Sequence, residues 1–318
     1  PTRRSSDLLP TLLLHPQQPI CLDHATLLVD GNQAGFRALS TSLINHNRRN
    51  TAIIEETSEA SHLVGQIYMP DSSRVARLSF LLCKDLSSTG GICALIEFLS
   101  YQAGENQALN LVAEVENNPG LFEILRRAGF SAYGIETIWK MPAWSINEEF
   151  PSSWKKANDS DEIGIRSLYQ SVTPPLEQGA ELYQSNCRQR LVHHVNDEIN
   201  AWAQYKVGPL GTYINLVLHP SIHDPETLLN ELSTSINSQG RPVYLQVRSH
   251  QSWLNSALGS SAQVIGEYTL MVKHLAVSQK AAVANSARAR MEARQAKPTI
   301  PILHNLTGGA PPTEPKKG

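Results

Sequence analysis

The feature that most constrains the fold of this chain is an order of predicted elements that occurs twice. The first half reads as three strands, a helix, a strand, a short helix and a strand, at residues 51–56, 62–69, 74–83, 90–104, 108–116, 118–128 and 131–141. The second half repeats most of that order at residues 201–207, 212–218, 225–238, 243–248, 252–259 and 263–275. A unit that recurs along a chain predicts a duplicated domain.

The two halves also match position by position. Gly134 and Gly266 lie 132 positions apart, and the same offset aligns Val115 with Val247. Few of the aligned residues are identical, so the prediction of a duplication depends on the order of the elements.

These elements predict a mixed α/β chain of two lobes, each a twisted and mostly antiparallel sheet flanked by helices. We expect the first lobe over residues 9–145, a linker over 146–160 and the second lobe over 161–278. Residues 279–318 turn to Ala, Arg and Lys and then to Pro and Gly, which predicts a short helix followed by a disordered tail. Residues 1–8 are also encoded by a common sequencing adapter, so we interpret them as an artefact and expect the natural N-terminus to be missing.

The composition argues against several classes of function. The chain has 318 residues, and its 27 Lys plus Arg against 29 Asp plus Glu disfavour non-specific binding to nucleic acid or anionic membranes. Cys21, Cys83, Cys93 and Cys187 form no CxxC pair, so we interpret them as reduced thiols of a cytoplasmic protein. No apolar run approaches the roughly 20 residues that span a bilayer.

The short helix at residues 118–128 carries its own start and stop signals. Asn118 is a good N-cap, and Pro119 suits the first helical position, which needs no intrahelical donor. Its apolar residues fall on one face, and Gly129 can adopt the left-handed conformation that ends a helix. We therefore predict a complete, capped helix between two strands.

This order of strands and helices, with an Asn-capped helix that ends in Gly-Phe, resembles the GNAT superfamily of acyl-CoA N-acyltransferases. The last short helix of that family typically reads N-x-x-A-x-x-L-Y-x-x-x-G-F, and Asn118 and Gly129-Phe130 stand at the matching positions. The resemblance covers residues 45–141 well and 200–275 weakly, and it implies a tandem GNAT protein. It also implies the activity, which is transfer of an acyl group from acetyl-CoA or another acyl-CoA to a small-molecule or protein amine.

The resemblance implies a V-shaped cofactor slot between two splayed central strands of the first lobe, with the pyrophosphate at the start of the next helix. The family signature there is Q/R-x-x-G-x-G/A; here Gly90 matches, whereas Ser87 and Ile92 depart from it. We predict a weakened phosphate cradle, with an ordinary helix cap as the alternative. The predicted cofactor-binding residues are Leu82, Ser88, Thr89, Gly90, Gly91 and Asn118.

The matching loop of the second lobe reads HPSIHDPET. It has no glycine, two prolines that lack an N–H donor and two acidic residues that repel phosphate. We therefore predict that only the first lobe holds cofactor. No metal site is predicted, because Pro220 and Pro225 argue against a helix that would bring His219 and His223 together.

Acyl transfer needs a base for the amine, a donor for the thioester oxygen and an acid for the leaving thiolate. Many family members use a tyrosine of the last helix as the acid, but Leu125 and Ala257 stand at that position. We name as candidate catalytic residues Glu55, Glu116 and Tyr133, with Glu56 and Glu114 as further carboxylates. A solvent-facing strand carboxylate and a packed strand tyrosine are the alternatives for these positions.

The altered cradle and the missing tyrosine leave a second hypothesis open. In it the chain is a non-catalytic protein of the same fold, either a CoA-sensing module or an interaction scaffold. Thermal stabilisation by acetyl-CoA, with or without turnover, separates the hypotheses.

Overall fold

The computed structural model describes residues 19–31, 49–55, 62–70, 73–144, 152–183, 189–258 and 262–275. The strands of the first half are β1 (Ile20–Cys21), β2 (Arg49–Glu55), β3 (His62–Tyr68), β4 (Val75–Leu82), β5 (Asn110–Glu116) and β6 (Ser131–Met141). Its helices are α1 (His24–Asp30), α2 (Thr89–Glu105) and α3 (Pro119–Arg127). All seven elements predicted for this half are confirmed, and β1 and α1 are additional.

The second half contains β7 (Trp154–Lys156), β8 (Arg190–Val195), β9 (Glu198–Val207), β10 (Thr212–Leu218), β11 (Val243–Arg248) and β12 (Gln263–His274). Its helices are α4 (Glu162–Val172), α5 (Pro175–Ala180) and α6 (Pro225–Ser235), with 3-10 segments at Asp159–Asp161 and Ser249–Ala257. The predicted repeat elements are confirmed. β7 lies inside the predicted linker and pairs with β8.

The described strands form one sheet of twelve, in the order β2-β3-β4-β5-β12-β6-β11-β10-β9-β8-β7, with β1 added to β4. Only the pairs β4–β5 and β10–β11 are parallel among the described pairs. The final strands of the two halves are exchanged, because β12 lies between β5 and β6, and β6 lies between β12 and β11. Outward from this central pair the strand order of one half mirrors that of the other, as a duplication predicts.

The two faces of the sheet carry different elements. Along β10, Ile214, Leu216 and Leu218 join the core under α6, whereas Val217 joins the core under α4, because alternate strand residues point to opposite faces. In the first half α2 and α3 cover the face of the core that contains Leu111, Ala113 and Val115 of β5. The opposite face carries α1, α4 and α5 and a group of buried charged residues.

The capped helix α3 is confirmed in detail. The Asn118 side-chain oxygen accepts from the Leu121 N–H at 3.1 Å. At the other end Gly129 has φ +89°, its N–H donates to the Arg126 carbonyl, and the Phe130 N–H donates to the Leu125 carbonyl. These two hydrogen bonds end the helix, so the geometry of the C-cap explains why the sequence Gly-Phe follows it.

Within the described part of the chain, no helix combines the length and the apolar character needed to cross a membrane.

Candidate functional site

In each half the two parallel strands start together and then separate. β4 and β5 are paired from Val75 opposite Asn110 to Arg77 opposite Val112. β10 and β11 are paired from Thr212 opposite Val243 to Asn215 opposite Gln246. We call the spaces beyond these pairs the first cleft and the second cleft. Strands that separate leave main-chain N–H and C=O groups that need other partners.

The first cleft is filled by the chain itself. The Leu22 N–H donates to the Ser79 carbonyl at 3.0 Å, and the Leu22 carbonyl accepts from the Glu114 N–H at 3.0 Å. Leu22 therefore bridges β4 and β5, and its side chain is 1% exposed in the core. The prediction of an open slot was wrong. The strands diverge as predicted, but residues 20–22 occupy the space between them. They do so because the unpaired main-chain groups of the two strands form hydrogen bonds with this added segment.

The attachment point is an irregularity in β4. β3 pairs Gln66 with Phe80 and then Ile67 with Leu78, so Ser79 is bulged out of the ladder. A β-bulge changes the direction in which the main-chain groups and side chains of that strand point. Here it leaves the Ser79 carbonyl facing the first cleft, where it accepts from Leu22.

The second cleft is closed by a side chain. The Gln251 carboxamide oxygen accepts from the Leu218 N–H at 2.7 Å, and its nitrogen donates to the Leu216 carbonyl at 2.9 Å. Gln251 is 2% exposed. One carboxamide thus supplies the donor and the acceptor that a neighbouring strand would otherwise supply to β10.

The helices that follow the clefts begin differently. At the start of α2, Ser88 makes no side-chain cap bond, and within the described residues the N–H groups of Gly90 and Gly91 donate to no protein acceptor. Gly90 is exposed, and a Cβ built on it meets nothing within 4 Å. At the start of α6 the Asp224 carboxylate accepts from the Thr227 N–H at 3.0 Å. The first helix start has free amides and open space, and the second is capped by an anion.

The other predicted cofactor residues have structural partners. Leu82 packs with Phe80 and Val64 on the side of the sheet away from α2, and the side chain of Asn118 caps α3. Ser88 and Thr89 are half-buried in the turn that begins α2. The structure places Ser88, Thr89, Gly90 and Gly91 together at the end of β4, as the sequence order requires.

A cavity of about 450 Å³ lies on the face opposite α2 and reaches both halves. Its lining includes charged residues from several elements, Asp23, Arg77, Glu114, Glu177, Glu181, Lys206, Arg248 and His250. It also includes the aromatic residues Tyr68, Tyr169, Tyr183, Trp202 and Tyr213. We call this space the central cavity; Glu114 joins it to the first cleft and Gln251 joins it to the second.

On the side of the first cleft, the cavity wall is an ion-pair chain. Arg77 Nη1 lies 3.2 Å from Glu114 Oε1, and its Nη2 lies 3.8 Å from Glu181 Oε2. The Tyr133 hydroxyl donates to Glu181. Burial, and then the Glu181 carboxylate, raise the pKa of Tyr133 well above its usual value, so this phenol stays protonated as a donor.

On the side of the second cleft, Arg248 lies within 4 Å of three carboxyl groups. It lies 2.8 Å from Glu181 Oε1, 3.4 Å from Glu136 Oε2 and 3.8 Å from Glu177 Oε2. Its side chain is 10% exposed, against 28% for Arg77. A cation this buried needs its anions, because water cannot replace them.

Two of these carboxyl groups have very different pKa values. Burial, and then the nearby Glu114, raise the pKa of Glu136 to about 8. Burial works in the same direction on Glu181, but Arg248 and Arg77 overcome it and lower its pKa to about 2. At neutral pH Glu136 is therefore mostly protonated while Glu181 is ionised, which reduces the repulsion between them.

The candidate catalytic residues do not come together. The side chain of Glu55 and all of Glu56 lie outside the described residues. Glu116 is exposed at the end of β5, whereas Glu114 is buried in the cavity wall two residues earlier. Tyr133 is buried and hydrogen-bonded to Glu181.

Sequence reasoning missed several residues of this region. Arg77, Glu136, Glu181 and Arg248 are all part of the buried network. A signal existed for the strand members, because a charged residue on a strand predicted to be central is buried on one face or the other. Glu181 carried no such signal, since no element was predicted around it.

Each half contains three antiparallel strands, a helix, a strand parallel to the third, a short helical segment and a final strand. This order and pairing of elements agrees with the tandem GNAT fold that the sequence predicts. No protein-family model and no curated protein matches the sequence. Among solved structures, the chain is similar to a functionally unknown conserved protein from Staphylococcus epidermidis, at 15% identity and a TM-score of 0.48 over 71% of this chain and 95% of that one.

Two other similar structures carry family names. A GCN5-related N-acetyltransferase from Sphaerobacter thermophilus aligns at 12% identity and a TM-score of 0.44, over 69% of this chain and 82% of that one. A tandem GNAT protein from the clavulanic acid biosynthesis pathway aligns at 13% identity and a TM-score of 0.38, over 71% of this chain and 83% of that one.

Proposed function

We propose that the chain is an acyl-CoA-dependent N-acyltransferase, in which the first half holds acetyl-CoA or another acyl-CoA and the central cavity receives the amine. The observation that carries the proposal is the divergence of β4 from β5 with the free Gly90 and Gly91 amides at its open end. A helix start with unpaired N–H groups favours phosphate, both through hydrogen bonds and through the helix dipole.

The assignment to the first half alone is supported by the contrast with α6. A phosphate at the start of α6 would meet the Asp224 carboxylate, which already accepts from Thr227. Pro225 at the first helical position also removes one donor. The second half therefore contributes to the cavity wall through β10 and β11.

Among the candidate bases we favour Glu114 over Glu116, because Glu114 lines the cavity next to the first cleft. A base must come within hydrogen-bond reach of the amine. The aromatic and acidic lining fits an amine that arrives protonated. Among the described residues, Cys21, Cys83 and Cys93 form no disulfide, in keeping with the cytoplasmic location that we propose.

Gly90→Pro tests the proposal, since it removes one free amide at the start of α2. We expect at least a tenfold loss of acetyl-CoA affinity, because one hydrogen bond to a charged group contributes about 1.5–3 kcal/mol. Isothermal titration calorimetry measures the loss, and His219→Ala, in the loop before α6, is the control that leaves affinity unchanged. Equal affinity of Gly90→Pro and wild type would refute the proposed phosphate site.

A second candidate function is a non-catalytic CoA-binding sensor or interaction scaffold. It is favoured by a specific observation: both clefts are filled, one by Leu22 and one by Gln251. Thermal stabilisation by acetyl-CoA without turnover on a panel of amines would support the sensor. No stabilisation at millimolar acetyl-CoA would support the scaffold, and turnover would support the transferase.

A further inference from the structure

The segment Ile20–His24, which we call the N-segment, makes two kinds of contact at the first cleft. Through β1 it adds a strand to β4, with Ile20 opposite Leu81 and Cys21 opposite Phe80. Through Leu22 it then bridges β4 and β5. An extended peptide that pairs with an exposed strand is a common mode of recognition, in which main-chain bonds supply affinity and a buried side chain supplies specificity.

The N-segment also forms hydrogen bonds with Glu114, the carboxylate that we favour as the base. The His24 N–H donates to Glu114 Oε2 at 2.6 Å, and His24 Nδ1 lies 3.2 Å from the same oxygen. The other oxygen, Oε1, is 3.2 Å from Arg77 Nη1. Both carboxylate oxygens are therefore engaged while the N-segment is in place.

An acyl-CoA arm that enters the first cleft, as the proposed function requires, needs the same space and the same main-chain groups. The arm carries amide groups along an extended chain, so it pairs with a free strand as a peptide does. The Ser79 carbonyl and the Glu114 N–H are already used by Leu22, and the Leu22 side chain is packed in the core. The arm and the N-segment cannot fill the first cleft together.

We propose that the N-segment is a built-in competitor of acyl-CoA: it closes the first cleft and covers Glu114, and acyl-CoA binds only after it leaves. This inference rests on the proposed function, since it requires acyl-CoA to use the first cleft. The apparent affinity then equals the intrinsic affinity multiplied by the fraction of molecules in which the N-segment is undocked. Weakening its docking raises the affinity.

Leu22→Ala tests the competition in the full-length chain. The change removes the buried anchor of the N-segment and leaves its main-chain atoms in place, so we expect acetyl-CoA to bind at least tenfold more tightly by calorimetry. Leu22→Met, which conserves the buried volume, keeps the wild-type affinity. Leu229→Ala, a buried leucine of α6 in the second half, controls for general loss of stability and leaves the affinity unchanged.

Hydrogen exchange of the wild-type chain provides a second measurement that stands even if Leu22→Ala fails to fold. We expect saturating acetyl-CoA to speed exchange of the Leu22 amide, because the N-segment leaves the cleft. Binding with the Leu22 amide still protected and with equal affinity in Leu22→Ala would overturn the competition while the proposed function survives. No binding of acetyl-CoA to the wild type or to any variant would overturn both.

Discussion

The two clefts have the same strand geometry and are closed in different ways. The first is filled by the N-segment, through Leu22, and the second by the carboxamide of Gln251, which belongs to the 3-10 segment directly after β11. Our proposal requires the N-segment to leave the cleft while β4 and β5 stay folded, whereas Gln251 belongs to the short connection between β11 and β12. The two halves thus share the divergence of their parallel strands and differ in the group that closes the cleft.

The helix starts reinforce this difference. α2 has free glycine amides and open space, whereas α6 is capped by Asp224 and begins with Pro225. One half therefore has free amides at a helix start, beside the cleft that the N-segment fills. The other half has a capped helix, a bridged cleft and the more buried cation of the cavity wall. This comparison makes three predictions about the wall and the clefts.

The largest effect is expected from Arg248→Met, because it removes the cation nearest to the ionised Glu181 together with the contacts to the buried Glu136 and Glu177. Breaking a buried ion pair by removing one partner costs about 3–5 kcal/mol. The matched change in the first half, Arg77→Met, should cost less, since the Arg77 side chain is 28% exposed. Urea unfolding of both variants measures the free energies. A larger loss for Arg77→Met would reverse the proposed ranking of the two halves.

A smaller effect is expected from Gln251→Ala, which removes both bonds across the second cleft. The Leu218 N–H and the Leu216 carbonyl lose their partner, and each unsatisfied group costs about 1–3 kcal/mol unless water replaces it. The exposed Gln263 provides the control, with Gln263→Ala expected to change stability by less than about 0.5 kcal/mol. Gln251→Ala should also fail to create a second acetyl-CoA site, because Asp224 still caps α6. A stoichiometry of two by calorimetry would contradict the difference between the clefts.

The smallest effect concerns pH and Glu136. Its folded pKa of about 8 lies above the ordinary glutamate value of 4.5, so between these values the folded state binds a proton that the unfolded state has lost. Stability therefore falls as pH rises through this window, by about 1.4 kcal/mol for each pH unit. Glu136→Gln stays uncharged and should flatten this fall between pH 6 and pH 7 in urea unfolding. Glu116→Gln, at the exposed end of β5, is the control, and an unchanged slope in Glu136→Gln would disprove the assignment.

Much of the fold was predictable because its signals are local. The strand at residues 108–116 and the cap residues of α3 depend on neighbours a few positions away, and all were found in the expected places. The candidate site was predictable only in part. The turn Ser88–Gly91 follows β4 in the chain, so its place at the open end of the cleft follows from connectivity alone.

The sequence by itself determined the duplicated order of elements, the helix caps and the contrast between the two helix starts, since each depends on short-range chemistry. Only the tertiary structure decided that β6 and β12 exchange places, that Leu22 and Gln251 close the clefts, and that four carboxyl groups, three of them buried, gather around Arg77 and Arg248. These contacts join residues far apart in the chain. Their partners are chosen by which main-chain groups and charges the folded sheet leaves unsatisfied, and that choice is made only when the sheet forms.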